Sequence, residues 1–413
     1  MHNLSRRSLL AASYMAHPMT IFSAQSSSEG GERVKLPPFK AETEQQSGPP
    51  PAPLAPDERV GFAIVGLGNL SVDQLLPAFR HSQKAKVTAL ISGSPDKAKT
   101  LARQYGIPER SVYGYDDYRR LSQDNTVQAV YVVLPNGMHR EHTIRAFESG
   151  KHVLTEKPMA NTARECEDMI AAGKKASRLL MVAYRIQYEP KNRHVRDVLR
   201  SGKYGTVKLM EMANVQRQGN AEQWRHKKAL AGGGALPDIG LYCLNASRFL
   251  LGEEPVEVFA TESTTPNDPR FREVEENVVV QMRYPSGVLT NFITGYDSHE
   301  SRRYRVHCPT GWVGMDPAFS YSGLRMEEAH AEGPIEHRAE PVLPEKNQFA
   351  LEIDHFASCI QESRQPYTPG EEGLQDHRIM EAIYESARTR RPVALPKVDK
   401  RDAFRGPEPK ATS

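Results

Sequence analysis

The sequence predicts an α/β fold built on a doubly wound parallel sheet. From residue 59 onward, short apolar runs alternate with stretches of helical period, and this alternation is typical of a parallel sheet with helices on both faces. The first apolar run, at 60–65, leads directly into a glycine-rich turn and a helical stretch. A strand, a glycine turn and a helix in this order begin a dinucleotide-binding sheet.

Composition limits the class of protein. The chain has 413 residues, of which 38% are hydrophobic and 25% charged, and this predicts two or three globular domains. No apolar stretch reaches the length of about 18 residues that a membrane-spanning helix needs, so we expect no membrane span. The 54 basic and 51 acidic residues nearly balance, which argues against nucleic acid as a partner. The 4 cysteines lie far apart, so we expect neither a disulfide scaffold nor a metal site.

Residues 1–24 have the pattern of a twin-arginine export signal. Arg6 and Arg7 precede a modest apolar segment, and no acidic residue occurs before Glu29. Such a signal predicts a periplasmic protein that meets the Tat export machinery with its cofactor already bound. The alternative is a basic tail with two chance arginines.

Residues 25–58 predict a flexible, proline-rich arm. They are rich in Ser, Glu, Gly and Gln and end in a proline run, a composition that cannot bury enough apolar area to fold alone. Consecutive prolines favour an extended polyproline II strand. Two interpretations stay open: a disordered linker, or an arm that lies on a neighbouring subunit.

The turn after the first strand contains Gly66, Gly68, Asn69 and Leu70. In a dinucleotide-binding turn, the first glycine permits the tight bend and the second lets the backbone approach the pyrophosphate. The free amides of the following helix then hold the phosphates. Ser71 stands where the usual pattern has a third glycine.

The second predicted strand, at 86–91, indicates which dinucleotide is bound. NAD-binding proteins commonly place an acidic residue at the end of this strand, where it binds the ribose 2′-hydroxyl. Here Ser92, Gly93 and Ser94 follow instead, with Lys97 nearby. Hydroxyls and a lysine do not repel a 2′-phosphate, so NADP is the predicted cofactor. The alternative is that Lys97 is an ordinary solvated helix charge.

Two further strands predict the rest of the cofactor site. Apolar runs at 127–134 and 152–154 are each followed by polar residues, and ligands of such sheets bind beyond the carboxyl ends of the strands. A histidine at a strand end is as often structural as functional. The residues assigned to the cofactor here are Leu134, Pro135, Asn136, His139, Glu156 and Lys157.

These motifs resemble one family. Glu156-Lys157-Pro158 after the fifth strand, together with Gly66-x-Gly68, is similar to the Gfo/Idh/MocA oxidoreductases, and further motifs are similar to its periplasmic glucose–fructose oxidoreductase branch. The resemblance covers roughly residues 59–395. The further motifs are Ala183-Tyr184-Arg185-x-x-Tyr188-x-Pro190, Gln223-Trp224-Arg225, Asp238-Ile-Gly240-Leu-Tyr242, Leu251-Gly-Glu-Glu-Pro255 and Pro369-Gly-Glu-Glu-Gly373.

The resemblance implies two domains. An NADP-binding Rossmann domain would cover 59–183, and an α+β domain with an open, mostly antiparallel sheet would cover 184–395 and serve substrate binding and oligomerisation. Strand-like runs such as 277–284, and a helical stretch at 371–390, agree with this. Residues 396–413 are predicted as a flexible tail. The exposed face of this sheet commonly forms the subunit contact in the family, so the resemblance implies a homo-oligomer.

The resemblance also implies that Lys157, Asp238 and Tyr242 form the catalytic site. Oxidising a sugar hydroxyl requires a hydride acceptor and a base for the proton. A phenol is protonated at neutral pH, but a neighbouring ammonium favours the phenolate, so Tyr242 beside Lys157 is the candidate base. Asp238 precedes Tyr242 by four residues, which on a helix puts both on one face. The alternatives are a helix-capping Asp238 and a core Tyr242.

Further assignments rest on the resemblance alone. Arg185, Trp224 and Arg225 are assigned to the cofactor, the last two because close relatives use this pair to cover it. Core packing is the alternative for Trp224. Tyr188 and Asn245 are assigned to the sugar substrate.

The predicted activity is that of an NADP-dependent sugar oxidoreductase with a tightly bound cofactor. It would oxidise glucose at C1 to the lactone and pass the hydride to fructose, giving sorbitol. The alternatives are an aldose–aldose oxidoreductase, a sugar dehydrogenase with exchangeable NADP, and a non-catalytic NADP-binding sensor.

Overall fold

The computed structural model describes residues 58–409. The predicted export signal, at 1–24, and the predicted arm, at 25–58, therefore lie outside the described residues except for Glu58. Within 58–409, no helix is long and apolar enough to cross a membrane.

The first sheet contains six parallel strands in the spatial order β3-β2-β1-β4-β5-β6, which confirms the predicted doubly wound sheet. Every residue of β1 is buried, as expected of a strand with helices on both faces. Strand order reverses between β1 and β4, and a ligand crevice opens at such a point. The strands are β1 (Val60–Val65), β2 (Ala85–Ile91), β3 (Val112–Tyr113), β4 (Ala129–Val132), β5 (His152–Thr155) and β6 (Leu180–Val182).

Helices cover this sheet, and local capping determines where they begin. The Thr162 hydroxyl accepts a hydrogen bond from the Glu165 amide, so the longest of them starts at Ala163. Gly106, with φ of +67°, ends the second helix in the left-handed conformation that glycine adopts readily. The helices are α1 (Leu76–His81), α2 (Pro95–Tyr105), α3 (Tyr118–Leu121), α4 (Asn136–Glu148) and α5 (Ala163–Ala176).

The second sheet contains nine strands in the order β14-β13-β12-β11-β7-β10-β9-β8-β15. Only β7 and β10 pair in parallel among its described strands, so the expected mostly antiparallel sheet is confirmed. Burial alternates along β9, because one face packs on helices and the other is exposed. The strands are β7 (Leu209–Gln216), β8 (Glu257–Ser263), β9 (Asn277–Arg283), β10 (Leu289–Tyr296), β11 (Ser301–Cys308), β12 (Gly311–Met315), β13 (Met326–Glu332), β14 (Ile335–Ala339) and β15 (Val393–Ala394).

Two helices from the second half of the chain pack on the first sheet, across the predicted division at 183/184. The Phe356 ring of α9 lies 6.2 Å from the Phe62 ring of β1. The loop before α10 bridges β6, through Met181 and Pro369. These helices cover apolar strands that would otherwise meet water. The helices of this half are α6 (Pro190–Ser201), α7 (Lys228–Ala231), α8 (Leu241–Leu251), α9 (Gln348–Gln361) and α10 (Gly370–Thr389).

The predicted flexible tail at 396–413 is wrong for its described part, 396–409. The Arg405 side chain is fully buried and donates to the Glu372 carboxylate at 2.8 Å. Arg248 and Asp376 belong to the same buried ionic cluster. Removing one partner of a buried ion pair is costly. The pairing of Arg405 therefore holds the C-terminal segment in place, although its composition is that of a loop.

Candidate active site

A cavity of about 490 Å³ lies between the carboxyl edge of the first sheet and the second sheet. It takes in the segments that follow β1, β2, β4 and β5 and the end of β7. Ligands of open α/β sheets bind at this edge, which is where the sequence predicts the site. The predicted residues that line it are Gly66, Gly68, Asn69, Leu70, Ser92, Gly93, Ser94, Lys97, Leu134, Pro135, Asn136, Glu156, Lys157, Arg185, Trp224, Arg225, Asp238 and Tyr242.

The glycine turn fits a dinucleotide pyrophosphate. Gly66 has φ of +90°, and a β-carbon there would lie 2.2 Å from the Val133 carbonyl oxygen, so the turn requires glycine. A β-carbon at Gly68 would meet nothing within 4 Å, which leaves the backbone open for close approach. Ser71, in place of the third glycine, donates its hydroxyl to the Gly66 carbonyl at 2.6 Å and stabilises the turn.

The end of β2 fits a 2′-phosphate. The Ser94 amide donates to the Ser92 hydroxyl at 3.1 Å, and Lys97 donates to the Leu67 carbonyl at 3.0 Å, which brings its ammonium group to the cavity wall. Asp96 does not line the cavity, so no carboxylate of this segment opposes an anion there. A 2′-phosphate would therefore meet hydroxyls and one positive charge.

Of the predicted cofactor residues after β4, Asn136 lines the cavity, whereas His139 has a structural role. Asn136 donates to the Ala231 carbonyl at 2.9 Å and thereby joins the start of α4 to α7. His139 is fully buried, and its ring nitrogens contact the carbonyl oxygens of Leu134 and Pro158 at 2.7 and 3.0 Å. The cofactor assignment of His139 is wrong, because its side chain does not line the cavity. Its ring instead joins the loops that follow β4 and β5.

The structure brings Lys157, Asp238 and Tyr242 together. Lys157 Nζ donates to the Asp238 carbonyl at 2.6 Å and lies 3.9 Å from the nearer Asp238 carboxylate oxygen. The same ammonium lies 4.4 Å from the centre of the Tyr242 ring. Asp238 belongs to a π-helical turn, Leu236–Gly240, and Tyr242 to the first turn of α8, and both line the cavity.

Asp238 is held as a carboxylate. Burial alone would raise its pKa, but the charges of Arg225 and Lys157 outweigh burial and hold that pKa below its usual value. Arg225 donates to it at 3.2 Å and Tyr296 at 2.8 Å. A carboxylate only accepts hydrogen bonds, so Asp238 can orient sugar hydroxyls at neutral pH but has no proton to give.

Tyr242 lies among cations. The Arg185 guanidinium is 4.9 Å from its ring centre, and Phe319 packs at 5.8 Å. Arg185 itself donates to the Gln348 side chain and to the Phe319 carbonyl, at 2.6 and 2.5 Å. Its hydrogen bonds therefore go to protein groups, and its contribution to the cavity is positive charge and a fixed wall. Within the described range, no hydrogen bond holds the Tyr242 hydroxyl.

Trp224 and Arg225 form one wall of the cavity. They lie in a short 3₁₀ turn, Trp224–His226, and the Arg225 guanidinium stacks over the indole at 4.6 Å. Trp224 is half-buried, so core packing does not explain it. The pair is placed where a bound dinucleotide could be covered, and that assignment stays a prediction.

Two substrate assignments are corrected. Tyr188 is buried outside the cavity, and its hydroxyl pairs with Thr368 at 2.9 Å. Asn245 donates to Glu372 and Asp376, at 3.0 and 2.9 Å, as part of the buried ionic cluster. Both residues stabilise the packing beneath the site and do not reach a substrate.

The second sheet brings residues to the cavity that sequence reasoning missed. Arg302 donates to Gln216 at 3.1 Å, and Asn214 lies two residues earlier on β7. Buried polar residues at alternate positions of a strand are the signal that could have found them, but β7 is absent from the predicted strands. Aromatic residues outside the predicted set also line the cavity: Tyr115, Phe319, Tyr321 and Phe349.

Fold and site together define a two-domain oxidoreductase whose first domain binds a nicotinamide dinucleotide. Residues 60–184 match the model of an oxidoreductase family NAD-binding Rossmann fold, and residues 196–395 match that family's C-terminal alpha/beta domain. The chain belongs to the Gfo/Idh/MocA oxidoreductase family, as the motifs predict.

Several relatives act on sugars or sugar derivatives. The chain is 30% identical over 352 residues to a D-xylose 1-dehydrogenase [NADP(+)] of Haloarcula marismortui, covering 83% of this chain and 94% of that one. The structure of an aldose–aldose oxidoreductase from Caulobacter crescentus is 45% identical with a TM-score of 0.79, covering 82% and 100%. A 3-ketoreductase from Actinomadura kijaniata, in complex with NADP and TDP-benzene, is 25% identical with a TM-score of 0.71, covering 79% and 98%.

Proposed function

We propose that this protein oxidises the C1 hydroxyl of an aldose to the lactone, with NADP as the cofactor. The observation that carries the proposal is the position of the Lys157 ammonium, 2.6 Å from the Asp238 carbonyl and 4.4 Å from the Tyr242 ring centre. Oxidation of a hydroxyl needs a hydride acceptor and, beside it, a base that takes the hydroxyl proton. Similarity to an NADP-dependent xylose dehydrogenase and to an aldose–aldose oxidoreductase supports this substrate class.

The residues around the cavity fit NADP, which accepts the hydride of the sugar C1 when it is bound. The turn at Gly66 and Gly68 would hold the pyrophosphate, and Ser94 and Lys97 would hold the 2′-phosphate. Trp224 and Arg225 would cover the cofactor and slow its release.

Each catalytic side chain has a distinct task. Asp238 accepts hydrogen bonds from sugar hydroxyls and orients the ring. Acting as the phenolate, Tyr242 takes the proton of the C1 hydroxyl and becomes a neutral phenol, and the positive charge of Lys157 stabilises the phenolate before the transfer. Desolvation in the cavity strengthens both interactions.

A second sugar would then take the hydride back from the same cofactor. Fructose is the acceptor that the family resemblance implies, with a second aldose as the alternative. The 45% identity to an aldose–aldose oxidoreductase supports the second aldose. A cycle of this kind needs no free cofactor. It therefore suits a periplasmic protein exported with NADP bound, as the twin-arginine pattern at 1–24 predicts.

Absorbance of the purified, desalted protein tests this cycle. With no cofactor added, glucose is expected to raise the reduced-nicotinamide band, and a second sugar is expected to abolish it. Reversal by fructose indicates a glucose–fructose cycle, and reversal only by a second aldose such as xylose indicates an aldose–aldose enzyme. A band that appears only after free NADP is added would show an ordinary dehydrogenase with exchangeable cofactor.

A homo-oligomer is also proposed. The open face of the second sheet exposes Leu209, Val279, Leu289 and Ile293, each more than 40% exposed, on the adjacent strands β7, β10 and β9. An apolar patch on adjacent strands is typical of a subunit contact. Light scattering of the wild type and of an Ile293→Lys variant tests this, since the charge should dissociate the oligomer.

A further inference from the structure

Two carboxyl groups lie together beneath the cavity floor. The Tyr131 hydroxyl of β4 lies 2.8 Å from the Glu156 carboxylate and 3.3 Å from the Glu352 carboxylate. All three side chains are buried. Glu156 lines the cavity, whereas Glu352 comes from α9 and does not. The proposed mechanism uses neither carboxyl group.

The geometry of this pair favours one retained proton and a single negative charge. One hydroxyl proton cannot bond both carboxylates fully, and within residues 58–409 the second Glu352 oxygen has no hydrogen-bond partner. Burial, and then the charge of Glu156, raise the pKa of Glu352 well above its usual range. Burial also raises the pKa of Glu156, but Lys157 and Arg185 oppose that effect. These surroundings therefore favour the proton on Glu352 and the negative charge on Glu156.

Within residues 58–409, the cations that act on the pair are Lys157 and Arg185, and both line the cavity. Lys157 contacts Glu156 through its backbone amide, at 3.1 Å, and Arg185 acts on both carboxyls. The titratable hydroxyls of Tyr131 and Tyr188 complete these surroundings. Both phenols have a raised pKa because they are buried, so neither ionises near neutral pH.

Glu156 lies in the part of the crevice where a bound dinucleotide would place its nicotinamide. The end of β2 fits the 2′-phosphate of the adenosine half, and a dinucleotide crosses the crevice from there toward β4 and β5. Glu156 follows β5 directly. An oxidised nicotinamide is a cation and a reduced one is neutral, so a nearby negative charge favours the oxidised form.

We propose that Glu352 is a positioning residue that acts through Tyr131 and Glu156 to set how strongly the protein prefers oxidised over reduced NADP. It keeps Glu156 hydrogen-bonded as the single charge on the cavity floor. As pH rises and Glu352 loses its proton, a second negative charge appears, and the preference for the oxidised form increases. The proposal rests on the use of NADP proposed above.

Equilibrium dialysis against equimolar NADP⁺ and NADPH measures this preference without catalysis. The wild type should bind an excess of NADP⁺ over NADPH, and this excess should increase as the pH rises. In Glu352→Gln the side chain is neutral at every pH, so the increase with pH should disappear. In Glu156→Gln the ratio of bound NADP⁺ to bound NADPH should be about tenfold lower than in the wild type at every pH. Glu345→Gln, an exposed carboxyl just before α9, is the matched control and should behave as the wild type.

Tyr131→Phe provides a second variant, because it removes the hydroxyl that joins the two carboxyl groups and keeps both of them. The excess of bound NADP⁺ over NADPH should also fall in this variant. A Glu352→Gln protein that keeps the wild-type pH dependence would overturn the proposal, as would a wild type without any pH dependence. If Glu352→Gln does not fold, an unchanged excess in Tyr131→Phe overturns it. Failure of the wild type to retain either form of NADP would instead refute the proposed function.

Discussion

The Lys157 ammonium lies 4.4 Å from the centre of the Tyr242 ring, although the two residues belong to different domains. Lys157 follows β5, and Tyr242 lies in the first turn of α8. The hydrogen bond from Lys157 to the Asp238 carbonyl joins the same two segments at 2.6 Å. The distance between two residues in different domains depends on how those domains pack. The proposed catalytic role of the pair leads to the following predictions.

Lys157→Ala should abolish turnover and keep NADP. Its ammonium is the positive charge closest to the proposed base, while the cofactor is held by many other groups, so kcat should fall by at least about a hundredfold. Cofactor content after desalting should stay at the wild-type level. Lys175→Ala, on the exposed part of α5, is the control. Full activity in Lys157→Ala would refute the mechanism.

Tyr242→Phe should separate catalysis from stability. In the described part of the chain, the Tyr242 hydroxyl makes no hydrogen bond, so its removal should leave the melting temperature within about one degree. The loss of the proton acceptor should lower kcat by about 10² to 10⁴. Steady-state kinetics and calorimetry on one preparation measure both. An unchanged kcat would remove Tyr242 as the base.

The acid limb of the pH–rate profile should report Asp238. Because Arg225 and Lys157 hold its pKa below the usual value, the carboxylate persists to lower pH than an ordinary aspartate, and activity lost through its protonation should decline only there. Tyr296→Phe removes a hydrogen bond that lowers this pKa. The acid limb of kcat/KM should therefore move to higher pH in that variant, and a shift in the other direction would contradict this role.

Ser92→Asp should weaken NADP binding and favour NAD. A carboxylate at the end of β2 repels a 2′-phosphate and can bind a ribose 2′-hydroxyl. We expect the ratio of the two dissociation constants to change at least about tenfold. Lys99→Ala, on the following helix α2 but outside the cavity, should leave the ratio unchanged. Calorimetric titration with each dinucleotide provides the measurement.

Arg405→Met should destabilise the whole protein. The substitution keeps most of the side-chain volume but leaves the buried Glu372 carboxylate without one of its cations. The loss of one partner of a buried ion pair costs about 3–5 kcal/mol in the free energy of unfolding. Urea denaturation measures the loss, with Arg391→Ala, an exposed arginine, as the control. A change below about 0.5 kcal/mol would show that the tail is dispensable.

Local sequence determined the first sheet and the cofactor turn. Short apolar strands and the glycine geometry at Gly66 depend on near neighbours in the chain, and the periodicity of the segments between them determined where helices form. The assignments of Lys157, Asp238 and Tyr242 to one site came from the family resemblance, and the structure places them together. Their chemistry stays a prediction until the variants are measured.

Only tertiary structure decided what the remaining candidate residues touch. His139, Tyr188 and Asn245 have side chains suited to a site, but packing buries them against carbonyl oxygens, a threonine and a carboxylate cluster. Conversely, Arg302 and Glu352 reach the site region from segments that are far from it in sequence. Hydrogen-bonding capacity is local to a residue, whereas burial and charge pairing depend on contacts between distant segments, so the sequence by itself determined the kinds of groups present and the fold decided which of them meet.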